Sequence, residues 1–152
     1  MMRSIAYACL LASATCAWTQ TAKPDLAGTW TINAARSNYG RMPPPKSYVE
    51  TIEQKGGNLS ITSVSEDQNG VTKGFLKLTL DDRDNVNEVN GNEFHSKSHW
   101  DGAKLITTVT GDKGLRMVEV RSLSSDGKTQ TVETYFGEMR GTPQMTRVMD
   151  RK

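Results

Sequence analysis

The chain has 152 residues, room for one domain, and its 19 Lys and Arg against 17 Asp and Glu leave a net charge of only +2. A balance this even, with no basic stripe, excludes nucleic acid as the expected partner. Scattered charges of this kind cover an ordinary solvated surface.

The first element is a leader. Met1-Met2-Arg3 gives a short positive start, and Ile5 to Ala17 is mostly apolar and small. Small residues stand at the usual cleavage offsets in Thr15-Cys16-Ala17 and in Ala12-Ser13-Ala14. The pattern predicts a secretory signal peptide over residues 1–22, with an approximate cleavage point, and a mature domain over 23–152. The apolar run is shorter than the roughly 20 residues a spanning helix needs. The mature protein is therefore expected to be exported, periplasmic or secreted, without stable membrane insertion. Both cysteines, Cys9 and Cys16, fall in the leader, so the mature chain has no disulfide and no thiol metal site. Ser13-Ala14-Thr15 before Cys16 fits a lipoprotein motif poorly.

Gly28 to Ile32 reads as the first strand, and Asn33 to Asn38 allows one short helical turn. Ala34 to Ser47 is the one long connection. Its Pro43-Pro44-Pro45 favours a stiff, extended segment with no amide donors. This loop is expected to link the first two strands across one end as a rigid linker, with a fixed lid as the alternative. Beyond it, turn signals recur at Gly56-Gly57-Asn58, Asn69-Gly70, Asp81 to Asp84, Asn90-Gly91-Asn92, Asp101-Gly102, Gly111 to Gly114, Asp126-Gly127 and Gly137 to Pro143. Asn-Gly and Asp-Gly tolerate the positive φ of tight hairpins.

The runs between these turns alternate with period two, as half-buried strands do. Leu59, Ile61 and Ser63 oppose Ser60, Thr62 and Val64. Leu76, Leu78 and Leu80 oppose Phe75, Lys77 and Thr79. Phe94, Ser96, Ser98 and Trp100 oppose His95, Lys97 and His99. Leu115, Met117, Glu119, Arg121 and Leu123 oppose Val118 and Val120. About ten such runs, ending at Met145 to Met149, indicate an antiparallel meander. Closing it into one up-and-down β-barrel of about eight to ten strands removes both exposed edges, with a sandwich as the alternative.

The segment Asp25-Leu26-Ala27-Gly28-Thr29-Trp30-Thr31-Ile32 resembles the Gly-x-Trp signature that opens the first strand of lipocalins and fatty-acid-binding proteins, the calycin group. The chain is more closely similar to small exported bacterial lipocalin-like proteins of poorly characterised function. Matching segments are Asn33 to Ser37, Met42 to Ser47, Trp100-Asp101-Gly102 with Lys104-Leu105, and Leu123 to Thr129. The resemblance implies a cup-shaped barrel with Gly28 and Trp30 as structural signature near its closed end. It also implies a last-strand cation packed on Trp30, with Arg147 the first candidate and Arg140 the second. Fatty-acid-binding proteins carry an Arg-x-Tyr pair there for a carboxylate; this chain has Arg147-Val148-Met149, without the Tyr.

Small polar residues between two aromatics would leave space inside a barrel, so Phe94, Ser96, Ser98 and Trp100 are candidate cavity residues. Co-liners are Phe75 or the Leu76-Leu78-Leu80 face, Met117, Tyr135 or Phe136, Arg147 and Met149; pattern leaves open which faces point inward. His95 and His99 stand about 13 Å apart on one strand, too far to share a metal, and read as surface residues. No nucleophile elbow, phosphate loop or His-Glu metal motif is present, so no enzyme activity, cofactor or metal is expected. The leading expectation is a monomeric carrier of a small hydrophobic or amphipathic molecule. The alternatives are a packed interaction module and an enzyme with Glu119 or Glu133 in its pocket.

Overall fold

The computed structural model describes residues 23–89 and 91–152; the leader reading, over 1–22, lies outside the described residues. Ten strands follow in chain order: β1 (Gly28–Ile32), β2 (Ser47–Lys55), β3 (Asn58–Asp67), β4 (Gly70–Thr79), β5 (Asn85–Val89), β6 (Asn92–Asp101), β7 (Lys104–Gly111), β8 (Arg116–Leu123), β9 (Thr129–Phe136) and β10 (Met145–Arg151). Single 3₁₀ turns at Ala34–Arg36 and Asp112–Gly114 are the other regular elements among the described residues. The turns fall where Asn-Gly, Asp-Gly and Gly-Gly stand. At Gly56-Gly57, for example, Lys55 pairs with Asn58 and Gly56 takes a φ of 58°.

One sheet holds all ten strands in the order β4-β3-β2-β1-β10-β9-β8-β7-β6-β5. Every ladder is antiparallel, including the one joining first strand to last, where Trp30 pairs with Arg151. The sandwich alternative is thereby set aside. The cylinder is nearly closed. Between β4 and β5 there is no backbone ladder, and side chains do the joining. The Asn87 carboxamide accepts from the Lys77 N–H at 2.7 Å and donates to the Lys77 carbonyl at 3.1 Å. Asn85 accepts from the Thr79 N–H at 3.2 Å and donates to the Thr79 hydroxyl at 3.1 Å. Each amide side chain thus takes the place of a missing strand backbone and satisfies edge groups that would otherwise lie unpaired.

The core fills one end. Leu26, Trp30, Ile52, Leu59, Ile61, Leu78, Leu105, Val132 and Met149 pack there as one cluster. The Trp30 indole N–H donates to the Leu26 carbonyl at 2.9 Å, so this fully buried ring leaves no orphan donor. Its cation partner is Arg151, 4.3 Å above the ring, and not Arg147 or Arg140. The register explains the correction: Arg151 stands opposite Trp30, and Arg147 lies four residues up the strand, about 13 Å away. Gly28 makes this possible, because a Cβ there would meet the Arg151 Nη1 at 2.8 Å.

The Pro-rich connection from β1 to β2 is held at the other end. Asn38 bridges Thr146 of β10, and the Lys46 N–H donates to the Glu66 carbonyl of β3 at 2.7 Å. His95 and His99 lie on the outer surface, as expected. They pair with Asp84 at 2.7 Å and Asp82 at 3.0 Å in the β4–β5 turn.

Candidate functional site

Above the apolar floor, the inward faces of β2, β8 and β10 carry charge. Arg121 donates to both oxygens of Glu50, at 2.7 and 3.3 Å, and to Glu119 Oε2 at 3.0 Å. Arg147 donates to Glu119 Oε1 at 2.6 Å and to the Tyr48 hydroxyl at 2.8 Å. The Tyr48 hydroxyl in turn donates to Glu50 at 2.6 Å. The five side chains close a ring of alternating sign, two carboxylates against two guanidinium groups.

Glu50 and Arg121 are almost fully buried, and buried charges persist only when paired and hydrogen-bonded. Burial pushes the Glu50 carboxyl up. The charges of Arg121 and Arg147, with hydrogen bonds from Arg121 and Tyr48, outweigh that and hold it at about 2. Burial also raises Tyr48; the positive charge of Arg147 opposes this and the negative charge of Glu50 adds to it. For Arg121, burial disfavours the cation, but Glu50 and Glu119 prevail and raise its pKa.

Beside the ring, within the barrel, lies a partly open cavity of about 210 Å³. Its walls are Ile61 of β3, Leu76 and Leu78 of β4, Val89 of β5, Phe94 of β6, Val109 of β7, Met117 of β8 and the adjoining Leu115. Its polar wall groups are Asn87, Ser96, Thr107 and Glu119. Glu119 thus belongs to ring and cavity at once. Phe94 folds over Gly111, where a Cβ would meet its ring at 2.8 Å. Two other depressions, of about 540 and 390 Å³, lie among turn residues: one around Lys23, Asp81 and Arg83, the other around Tyr39, Arg41 and Gln144. None of residues 38–46 lines the barrel cavity, so the Pro-rich loop is not its lid.

The residues expected in the cavity separate into groups. Phe94, Ser96 and Met117 line it. Ser98 lies deeper, hydrogen-bonded to Thr107 at 2.9 Å. Trp100 and Met149 pack against the core. Arg147 sits in the ionic ring, where Tyr48 of β2 gives it the phenol that β10 lacks. Phe75 points outward, 47% exposed, under the Lys77 ammonium, so the Leu76-Leu78 face is the inner one. Tyr135 also leaves the interior. It joins Val118 and Val120 in a cluster on the opposite face of β8 and β9 from Glu119 and Thr134. Glu133 shares that outward parity, and Glu119 is the inward carboxylate.

Sequence reasoning missed Tyr48, Glu50, Asn87, Val89, Thr107 and Val109. The available signals were the Tyr48-Glu50-Ile52 alternation and two Asn in a five-residue strand, where Asn is unfavourable.

No protein-family model and no curated protein matches this chain in sequence. Solved structures do match in shape. A secretary abundant heat soluble protein from Ramazzottius varieornatus superposes with a TM-score of 0.67 at 12% identity, covering 88% of this chain and 100% of its own. Lipid binding protein 8 of Caenorhabditis elegans gives 0.59 at 11%, over 83% and 94%. Human cRBP IV gives 0.60 at 18%, over 85% and 99%. These neighbours share its fold, a single nearly closed antiparallel barrel. Two features set this barrel's interior: a ring that consumes its own charges, and a small apolar chamber beside it.

Proposed function

We propose that this protein is an exported, non-enzymatic carrier that holds one small, uncharged, largely apolar molecule inside its barrel. The observation that carries the reading is the 210 Å³ chamber with eight apolar wall residues beside a charge-neutral ring. Ligand pockets are concave, mostly apolar and marked by a few placed polar groups. The name of lipid binding protein 8, a structural neighbour, supports binding as a use of this architecture. The chamber is smaller than the usual range of about 300–1,000 Å³, which favours a compact ligand over a long chain. Both internal arginines already face carboxylates, so an anionic head would have to displace Glu50 or Glu119. Export rests on the leader pattern of residues 1–22.

Native mass spectrometry of the purified protein, before and after organic extraction, tests the reading. A retained small neutral molecule lost on extraction is the expected result. No retained mass, together with no response to lipophilic dyes, would count against it.

A second reading is an interaction module that docks through its open rim. Met42, Leu115, Phe136 and Met139 favour it, each 44–48% exposed near that end.

A further inference from the structure

We infer that the chamber selects a compact neutral alcohol or phenol, its hydroxyl seated between Glu119 and Thr107. This rests on the carrier reading above and narrows its ligand class.

The hydrogen-bonding capacity of the four polar wall groups decides the matter. Asn87 has both of its N–H donors engaged, by the Lys77 carbonyl and the Ser96 hydroxyl, and its oxygen takes the Lys77 N–H. The Ser96 hydroxyl accepts from Asn87 and donates to the Asn85 carbonyl at 3.4 Å. These two groups are occupied by the β4–β5 seam. Glu119 differs. Each of its oxygens takes one guanidinium hydrogen, and a carboxylate offers about four lone-pair sites. Acceptor capacity is left over, and there is no hydrogen to give.

Thr107 stands directly opposite Glu119 in the β7–β8 register, and both line the chamber. The Thr107 and Ser98 hydroxyls share one hydrogen bond of 2.9 Å, which either can donate. When Ser98 donates, the Thr107 hydrogen is free for a ligand. The chamber's accessible lining is almost wholly apolar, and Glu119 and Thr107 are the wall residues with a spare acceptor and a hydroxyl that can give or take. A hydroxyl donates to the first and accepts from the second. A carboxylate has only acceptors to set against Glu119. A hydrocarbon leaves the spare acceptor capacity of Glu119 and the Thr107 hydroxyl without a further partner. Size fits the same class. A 150 Å³ apolar cavity accepts benzene, so about 210 Å³ suits one ring with a short alkyl tail.

The test is calorimetric titration of the full chain at pH 7 with 4-propylphenol, propylbenzene and 3-phenylpropanoate. The phenol is expected to bind about tenfold or more tighter than the hydrocarbon, and the acid weakest of the three. In Thr107→Val the phenol's advantage over propylbenzene should shrink several-fold. Equal binding of phenol and hydrocarbon to the unmodified chain, or preference for the acid, overturns the hydroxyl assignment and leaves a carrier in place. Binding of none of the three, or binding that survives the cavity-filling Val109→Trp, overturns the carrier reading and the inference with it.

Discussion

A carboxylate only 1% exposed, such as Glu50, survives in a barrel because two arginines and a phenol surround it. Removing one charge of such a set costs more than the set contributes, because the partner is left buried and uncompensated. Glu50→Gln is expected to lower stability by about 3 kcal/mol in urea titrations, because Arg121 and Arg147 are left to share Glu119 alone. Replacing Glu50 and Arg121 together by apolar residues should restore much of that loss. Acid makes the same point through protons. The Glu50 carboxyl falls from its ordinary 4.5 to about 2 on folding, so the unfolded chain takes up the proton first. Its contribution is complete above about pH 4.5 and fades as pH drops toward 2. The shift corresponds to about 3 kcal/mol. Unfolding free energies measured from pH 6 to pH 2 should fall steeply for the unmodified protein and more gently for Glu50→Gln.

Strands β4 and β5 meet without a ladder, and the Asn85 and Asn87 side chains carry the seam. Asn87→Ala leaves the Lys77 N–H and carbonyl without partners, at a cost of about 1–3 kcal/mol. Hydrogen exchange at Lys77 should accelerate by more than the fall in global stability explains, while Leu105 in β7 tracks the global value. Equal acceleration at both sites would show that the seam does not open locally. This junction also marks where the sequence stops being readable. Strand extents and turns were legible, because Gly and Asn punctuate every hairpin and alternation fills the intervals. The inward face was not. In β2, Tyr48, Glu50 and Ile52 look no more apolar than Val49 and its neighbours. In β8, Val118 and Val120 pack in an outer cluster while Glu119 and Arg121 turn inward. Period two fixes which residues share a face, but polarity misleads when the interior holds an ionic ring and the exterior holds Val, Tyr and Phe. Hence alternation puts Phe75 and Tyr135 among the candidates for a wall they do not join, while Phe94 and Ser96 stand in that wall.

Three parts fill the cylinder: an apolar floor around Trp30 and, above it side by side, the ionic ring and the chamber walled by β3 through β8. The floor depends on chain ends brought together from opposite ends of the sequence. Arg151 lies 4.3 Å above Trp30 and donates to the carbonyls of Asp25, Ala27 and Gly127. The Lys152 N–H adds a bond to the Thr29 carbonyl at 2.9 Å. One side chain thus fastens the segment before β1, the β8–β9 turn and the end of β10. Its stacking and its three carbonyls are worth about 1–2 kcal/mol together, given its exposure. Arg151→Ala should lose that amount and shift Trp emission, as the indole loses its cover. Arg151→Lys should recover little, because an ammonium cannot stack as a plane while reaching three carbonyls in a fork. Affinity for a chamber ligand should stay within about twofold in both variants, since none of the residues that Arg151 touches lines the chamber. A large loss of affinity with unchanged stability would place the chamber's control at the floor and contradict this independence.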